Sequence, residues 1–273
     1  MRTTRPHSVS SPPRFTATEF IAQHPVFRFD EFRRAHTAAG RSPETTAALL
    51  QYHVSTGRLR NLRRGLYARV QDSGIDHWLV GSRLAPDAVL AYDGALSFYR
   101  LTGLGHGISF LTRERVARFV FDEVVYQPVA PPAALATSSD RAGGIVKVER
   151  EGIFLSVTTP ERALVDVCDR VDLAPLDENL FEAFRAARDL DVDFMIHHLR
   201  RLGNRLAAAR LGFFLERLPG ASADHLRAIE RLRPRGPAYF DRRKADTGDP
   251  FLSRWNLVVP RDLFDQAGGY TWP

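Results

Sequence analysis

Three short amphipathic segments, then an arginine-rich two-stranded ribbon, then extended runs and a succession of helices: this order predicts an α+β protein. An N-terminal winged helix-turn-helix should precede a larger mixed α+β domain. The 273 residues are 44% hydrophobic and 26% charged, ordinary proportions for a folded chain with room for two cores. The expected division is an arm at 1–14, a DNA-binding domain at 15–80 and a second domain at 81–273.

The arm, rich in Ser, Pro and Arg, has no apolar periodicity and reads as disordered. From Thr16 onward Ala17, Phe20 and Ile21 recur at helical spacing until Pro25, and Phe29, Phe32 and Ala35 open a second helix with Asp30 as its cap and Gly40 as its end. Ser42-Pro43-Glu44 starts a third helix: the serine oxygen caps free N–H groups, proline suits the first turn and glutamate suits the positive dipole end. That helix runs to about Thr56. Its expected inner face is Ala47, Leu50 and Val54. Thr45, Leu49, Tyr52 and Thr56 are then outward, with Thr46 and His53 at the side. Arg58 to Val70 alternates apolar Leu59, Leu62, Leu66 and Tyr67 with arginines around Arg64-Gly65, which is a hairpin signal.

Charge falls unevenly along the chain. Residues 1–70 hold 12 Arg against 4 acids, whereas the remainder is slightly acidic, and only Lys147 and Lys244 are lysines. Arginine forks onto phosphate and guanine, so this clustering on a helix–hairpin unit points to duplex DNA, the alternative being a protein-docking module. The candidate contacts are Arg41, Thr45, Thr46, Tyr52, Arg58, Arg60, Arg63 and Arg64.

Beyond a short helical piece within 71–85, Ala88 to Leu101 reads as a helix and TGLGHG (102–107) as a loop. Ile108 to Thr112, Arg118 to Gln127, Ile145 to Glu149 and Ile153 to Val157 are extended, the last two forming a hairpin around Arg150-Glu151-Gly152. Helices are expected at 160–170, 177–188, 191–202, 204–217 and 222–231, followed by an extended tail at Ala238 to Arg242 and Trp255 to Val259. Thr159, Pro160 and Glu161 form a helix start, and Arg162 can pair with Asp166 one turn on.

Enzyme signatures are incomplete. A restriction-type nuclease needs an acid two residues before its lysine, but Lys147 follows Ile145 and Lys244 follows Arg242. A nucleotidyltransferase needs paired aspartates after Gly-Ser, but Gly81-Ser82 leads into Arg83-Leu84. Asp122-Glu123, read as strand residues, would face opposite ways. His197-His198 lacks the zinc-protease spacing, and the glycine loop is neither a dinucleotide fingerprint nor a phosphate loop. Cys168 sits among apolar neighbours, and a single cysteine supports neither a disulfide framework nor a structural zinc site. No enzyme activity, cofactor or metal is expected. The opening MRTTRPHSVSSPPR lacks a secretory apolar core, so a cytoplasmic protein without a membrane partner is expected.

Five segments in order, HPVFRFDEFRRA (24–35), GRLRNLRRGLYARV (57–70), LAYDGALSFYRLTGL (90–104), VTTPERALVDVCDR (157–170) and RWNLVVP (254–260), resemble the AbiEi-type antitoxins of abortive-infection type IV toxin–antitoxin systems. The resemblance implies a cytoplasmic protein whose winged domain represses its own operon at promoter inverted repeats. Its C-terminal domain would counteract a nucleotidyltransferase-type toxin, with no stable toxin complex required. The alternative is a winged regulator or protein-docking module without an antitoxin role. It places the recognition helix on Ser42 to Thr56 and the wing on Arg58 to Arg69, with His53 standing where the family often has leucine. For the antitoxin surface, the charged helices nominate Arg185, Arg188, Arg200, Arg201, Arg205 and Arg210.

Overall fold

A computed structural model describes residues 16–72, 74–105, 107–135, 143–173 and 177–268; the arm at 1–14 lies outside the described residues. The chain is mixed α+β and divides into two compact units, one of 1–83 with 149–153, the other of 84–148 with 154–273.

The first unit runs α1 (Ala17–Gln23), β1 (Val26–Arg28), α2 (Phe29–Ala38), α3 (Thr45–Ser55), β2 (Leu59–Arg63), β3 (Leu66–Arg69) and α4 (His77–Arg83). Thr16 caps α1 by accepting from Glu19 N at 3.1 Å. For α2 the capping acid is Glu31, not the expected Asp30: its carboxylate accepts from Arg28 N at 2.7 Å, because the helix begins at Phe29 and places Glu31 at the third position. Strand β1 was not anticipated, its three residues being too short for a period-two pattern to register. It pairs antiparallel with β3, whose other edge pairs with β2, giving a three-stranded sheet in the order β1-β3-β2.

Phe20, Ile21, Phe27, Phe32, Leu50 and Leu59 form the core of this unit. Phe20 meets Phe27 and Phe32 edge-on at centroid distances of 5.2 and 5.1 Å, pairs that add about 0.5–1.5 kcal/mol each to the area they bury. The division falls after Arg83 rather than at 80, because α4 packs on β1 and Arg83 bonds Glu31 at 2.9 Å. Residues 149–153 join this unit through Arg150, whose Nε donates to Asp76 at 2.5 Å and whose guanidinium lies 4.6 Å from the Trp78 ring.

The second unit contributes β4 (Val89–Leu90), α5 (Asp93–Phe98), β5 (Gly107–Leu111), β6 (Phe119–Phe121), β7 (Val124–Val129), β8 (Ile145–Arg150) and β9 (Ile153–Thr158). The sheet order is β6-β7-β5-β4-β9-β8, with β4–β9 and β5–β7 parallel. Two expectations are corrected here. The start of the 88–101 helix is strand β4, a central pair of residues, half-buried Val89 and buried Leu90, too short to show a period-two pattern. The single run 118–127 is a hairpin, β6 with β7, turning at Asp122-Glu123 with φ of 46° and 65°.

The helices that follow are α6 (Pro160–Asp169), α7 (Asp177–Ala186), α8 (Val192–Leu202), α9 (Arg205–Leu215) and α10 (Ala223–Glu230), close to the expected runs. The tail adds β10 (Ala238–Tyr239), β11 (Phe251–Leu252), β12 (Leu257–Val258) and α11 (Arg261–Gln266); β11 and α11 were not anticipated. Among the described residues no helix is long and apolar enough to cross a membrane.

Candidate nucleic-acid interface

Helix α3 is presented by two local devices. Ser42 Oγ accepts from Glu44 N at 3.2 Å and Thr45 Oγ1 donates to Ser42 O at 2.8 Å, so a serine–proline turn sets the entry angle. At the far end Arg58 N bonds His53 O at 3.0 Å, which leads the chain directly from α3 into β2.

The face that α3 buries differs from expectation. Thr46, Leu50 and His53 are buried and Leu49 and Val54 are packed against the core, whereas Ala47 points to solvent. Thr46 is therefore corrected. It is fully buried, its hydroxyl 3.3 Å from His36 Nδ1, and cannot touch a duplex. A threonine and two histidines read as surface residues in a sequence, but here the Thr46–His36 pair satisfies itself inside the core. Leu49 is likewise inward, which frees the outer face of a large aliphatic group.

The exposed residues of α3 are Thr45, Ala47, Ala48, Gln51, Tyr52 and Ser55, with Thr56 beyond. Gln51 was missed by sequence reasoning. Its signal is the i, i+3, i+4 spacing to Ala47 and Ala48, visible only once Ala47 is taken off the core face.

The arginines stand before α3, after it and on the ribbon β2–β3. Arg41, Arg58, Arg60 and Arg64 are exposed, and Arg41, Arg58 and Arg64 have no acidic partner among the described residues. Arg63 is half-buried, and that burial, with the Arg28 guanidinium nearby, disfavours its charge. Gly65 turns the hairpin at φ 77°, a left-handed conformation costly for any other residue. Its carbonyl accepts from Phe29 N at 2.9 Å and ties the ribbon tip to α2. Three other arginines serve the fold: Arg28 donates to Arg83 O at 2.9 Å, Arg33 pairs with Asp30 at 2.9 Å, and Arg69 donates to Ala22 O at 2.5 Å.

His53 adds a pH dependence. Burial, and secondarily the charge of Arg58, lowers its pKa from 6.5, and its Nδ1 has no hydrogen-bond partner among the described residues. Below pH 6.5 the unfolded chain takes up a proton that the folded chain refuses, so stability falls with falling pH. His53→Leu is expected to raise stability by about 1 kcal/mol at pH 8, by removing an unsatisfied buried polar atom. The margin over the parent should widen as pH drops through 6.5 in thermal melts; an unchanging margin would count against this account.

The arginines nominated in the second unit separate into two kinds. Arg185, Arg188, Arg200 and Arg205 are exposed, Arg185 pairing with Glu182 at 3.2 Å and Arg205 donating to Arg233 O at 3.2 Å. Arg201 is half-buried. Arg210 is a correction: it is buried, donating from Nε to Phe240 O at 2.8 Å and from Nη1 to Cys168 O at 2.7 Å, and it fastens α9 to the end of α6 and to the tail. Such a guanidinium is a structural tie and offers no surface. Burial pushes the Cys168 thiol well above its usual range, leaving it neutral. Asp122 and Glu123 sit in a turn, not on opposite faces of one strand. Among the described residues no three His, Cys, Asp or Glu side chains come together as metal ligands.

No known family pattern and no curated protein sequence matches this chain. Among solved structures it is similar to the Rv2827c protein from Mycobacterium tuberculosis, with a TM-score of 0.59 and 17% identity over 92% of each chain. At that identity the likeness is one of fold.

Proposed function

We propose that the protein is a cytoplasmic, non-enzymatic antitoxin of the type IV class that represses its own operon, its first unit acting as a winged helix-turn-helix on promoter DNA. The observation that carries the DNA-binding part is the solvent face of α3. It is free of charge and of large aliphatic groups; Arg41 precedes the helix, Arg58 follows it, and both, like Arg64 of the ribbon turn, are exposed. That is the arrangement a major-groove helix needs, with neutral side chains toward base edges and cations toward phosphates on either side. The order of three helices and a three-stranded antiparallel sheet supports the same reading. The antitoxin part rests on the five-segment resemblance. Inverted repeats would seat two copies of the unit.

Arginine neutralising phosphate makes affinity depend steeply on salt. Six phosphates give a slope of log affinity against log salt of about −5. On a duplex carrying its own promoter, the triple variant Arg58→Ala, Arg60→Ala, Arg64→Ala is expected to bind more weakly to all sequences and to flatten the slope to about −3, roughly 0.9 for each phosphate no longer neutralised. Gel shifts at several salt concentrations read both. Absence of binding, or binding untouched by the three changes, removes the repressor reading and leaves a protein-docking module. The antitoxin role requires a nucleotidyltransferase-type toxin gene in the same operon; coexpression with its product tests the rest: growth rescue is expected, and no rescue, or no such gene, would refute the antitoxin role.

A further inference from the structure

The composition of the exposed face of α3 restricts which base pair it can read. At about 100° per residue, Ala47, Gln51, Ser55, Ala48, Tyr52 and Thr45 follow one another across a sector of roughly 160°, and all six are exposed. Thr46, Leu49, Leu50, His53 and Val54 take up the remaining arc. Guanine is most often read by arginine or lysine forked onto O6 and N7. Neither residue occurs between Thr45 and Thr56.

The serine and threonine hydroxyl protons of this face are already committed, which leaves the Tyr52 hydroxyl and the Gln51 carboxamide. Thr45 Oγ1 donates to Ser42 O at 2.8 Å, Ser55 Oγ to Tyr52 O at 2.9 Å and Thr56 Oγ1 to Tyr52 O at 3.0 Å. Gln51 differs: its carboxamide makes no hydrogen bond among the described residues and it stands well inside the sector, with Tyr52 toward the border. It holds a donor and an acceptor together, the pair that matches N7 and the N6 amino group of adenine. Ala47 and Ala48, one turn earlier, add methyl groups of the size that meets the thymine C5 methyl. Their small volume also lets the helix axis come close to the base edges.

We infer that α3 reads an A·T base pair in each half-site, Gln51 holding the adenine and Ala47 and Ala48 resting against the thymine methyl. This deepens, and rests on, the DNA-binding reading above.

Selection from a pool of randomised duplexes by the full chain, repeated with Gln51→Ala, tests it. The parent is expected to retain duplexes with a fixed adenine in each half-site. Gln51→Ala loses that preference and binds the selected duplex roughly 5- to 150-fold more weakly, the span of one bidentate base contact. Its affinity for a random duplex and its salt slope stay as in the parent. Replacing the selected adenine by 7-deaza-adenine, which lacks N7, weakens the parent and leaves Gln51→Ala unchanged, a comparison that does not depend on how well the variant folds.

A G·C preference at the contacted positions overturns the inference, as does an adenine preference that survives in Gln51→Ala; both leave DNA binding standing. If the parent retains no duplex at all, the DNA-binding reading and this inference fall together.

Discussion

Asp166→Ala is expected to cost about 3–5 kcal/mol, the range for breaking a buried ion pair from one side. Asp166 is 1% exposed at the side chain and holds two partners that are themselves buried. Arg162 Nε donates to its Oδ2 at 3.2 Å, and His198 Nε2 donates to its Oδ1 at 2.7 Å, joining α8 to α6. Arg162 also donates to Gly143 O at 2.7 Å, so its position is fixed from a second side and it cannot swing out to water when the carboxylate goes. The penalty is that of a buried guanidinium and a buried imidazole losing the carboxylate they share, a large share of the 5–15 kcal/mol that keeps a domain folded. Denaturant titration should show the midpoint falling sharply. Glu182→Ala, which removes the exposed partner of Arg185, is the control and should change stability by less than about 1 kcal/mol. Replacing Arg162, Asp166 and His198 together by apolar residues of similar volume should recover most of the loss. If Asp166→Ala melts like the parent, the network contributes nothing.

Gly212→Val should be comparably severe, at about 3 kcal/mol or more, by overpacking. In an isolated helix, replacing glycine gains stability, about 1 kcal/mol for alanine. In α9 the sign reverses, because a Cβ at Gly212 would overlap the six-membered ring of Trp255. That ring has no room to withdraw. Trp255 is fully buried, its Nε1 donates to Glu216 Oε2 at 2.8 Å, and the Arg254 guanidinium lies 5.1 Å from the ring centre while donating to Glu216 Oε1 at 2.5 Å. Gly212→Ala should be milder, and in combination with Trp255→Phe should cost less than the two single changes added together. Additive losses in thermal melts would show that the two residues do not press on each other.

How far the chain could be read without its tertiary structure varies with the range over which each feature is satisfied. The Glu151-Gly152 turn, with φ of 48° and 76°, and the ribbon around Gly65 were visible because a tight turn closes within a few residues. So was the start of α6, where Thr159 Oγ1 accepts from Arg162 N at 3.4 Å and proline occupies the first turn. Strand β4 escaped because two residues are too few for an alternation to show. The inner face of α3 was misread because threonine and histidine were counted as polar, and nothing between Ser42 and Thr56 says that His36 waits on another helix for Thr46.

The candidate interface divides along the same line. Its arginines and its helix–ribbon order were legible in composition and local pattern, since a cluster of one residue type and a tight turn are both recorded within a few positions. Gln51 became a candidate only when packing turned Ala47 outward, and Thr46 and Arg210 ceased to be candidates only when their partners came into view.

By itself the amino-acid sequence determined the α+β class, the runs of the helices from α6 to α10, the turns at Gly65 and Gly152 and the basic character of the first 70 residues, all of which depend on groups a few positions apart. Only the tertiary structure decided which polar and charged side chains lie inside. A buried Arg162, Asp166, His198 or Arg210 is stable through partners brought from distant stretches of chain, as His198 is by a carboxylate 32 residues away. Burial without such partners is too costly to persist, and their arrival is a property of packing that no local pattern records.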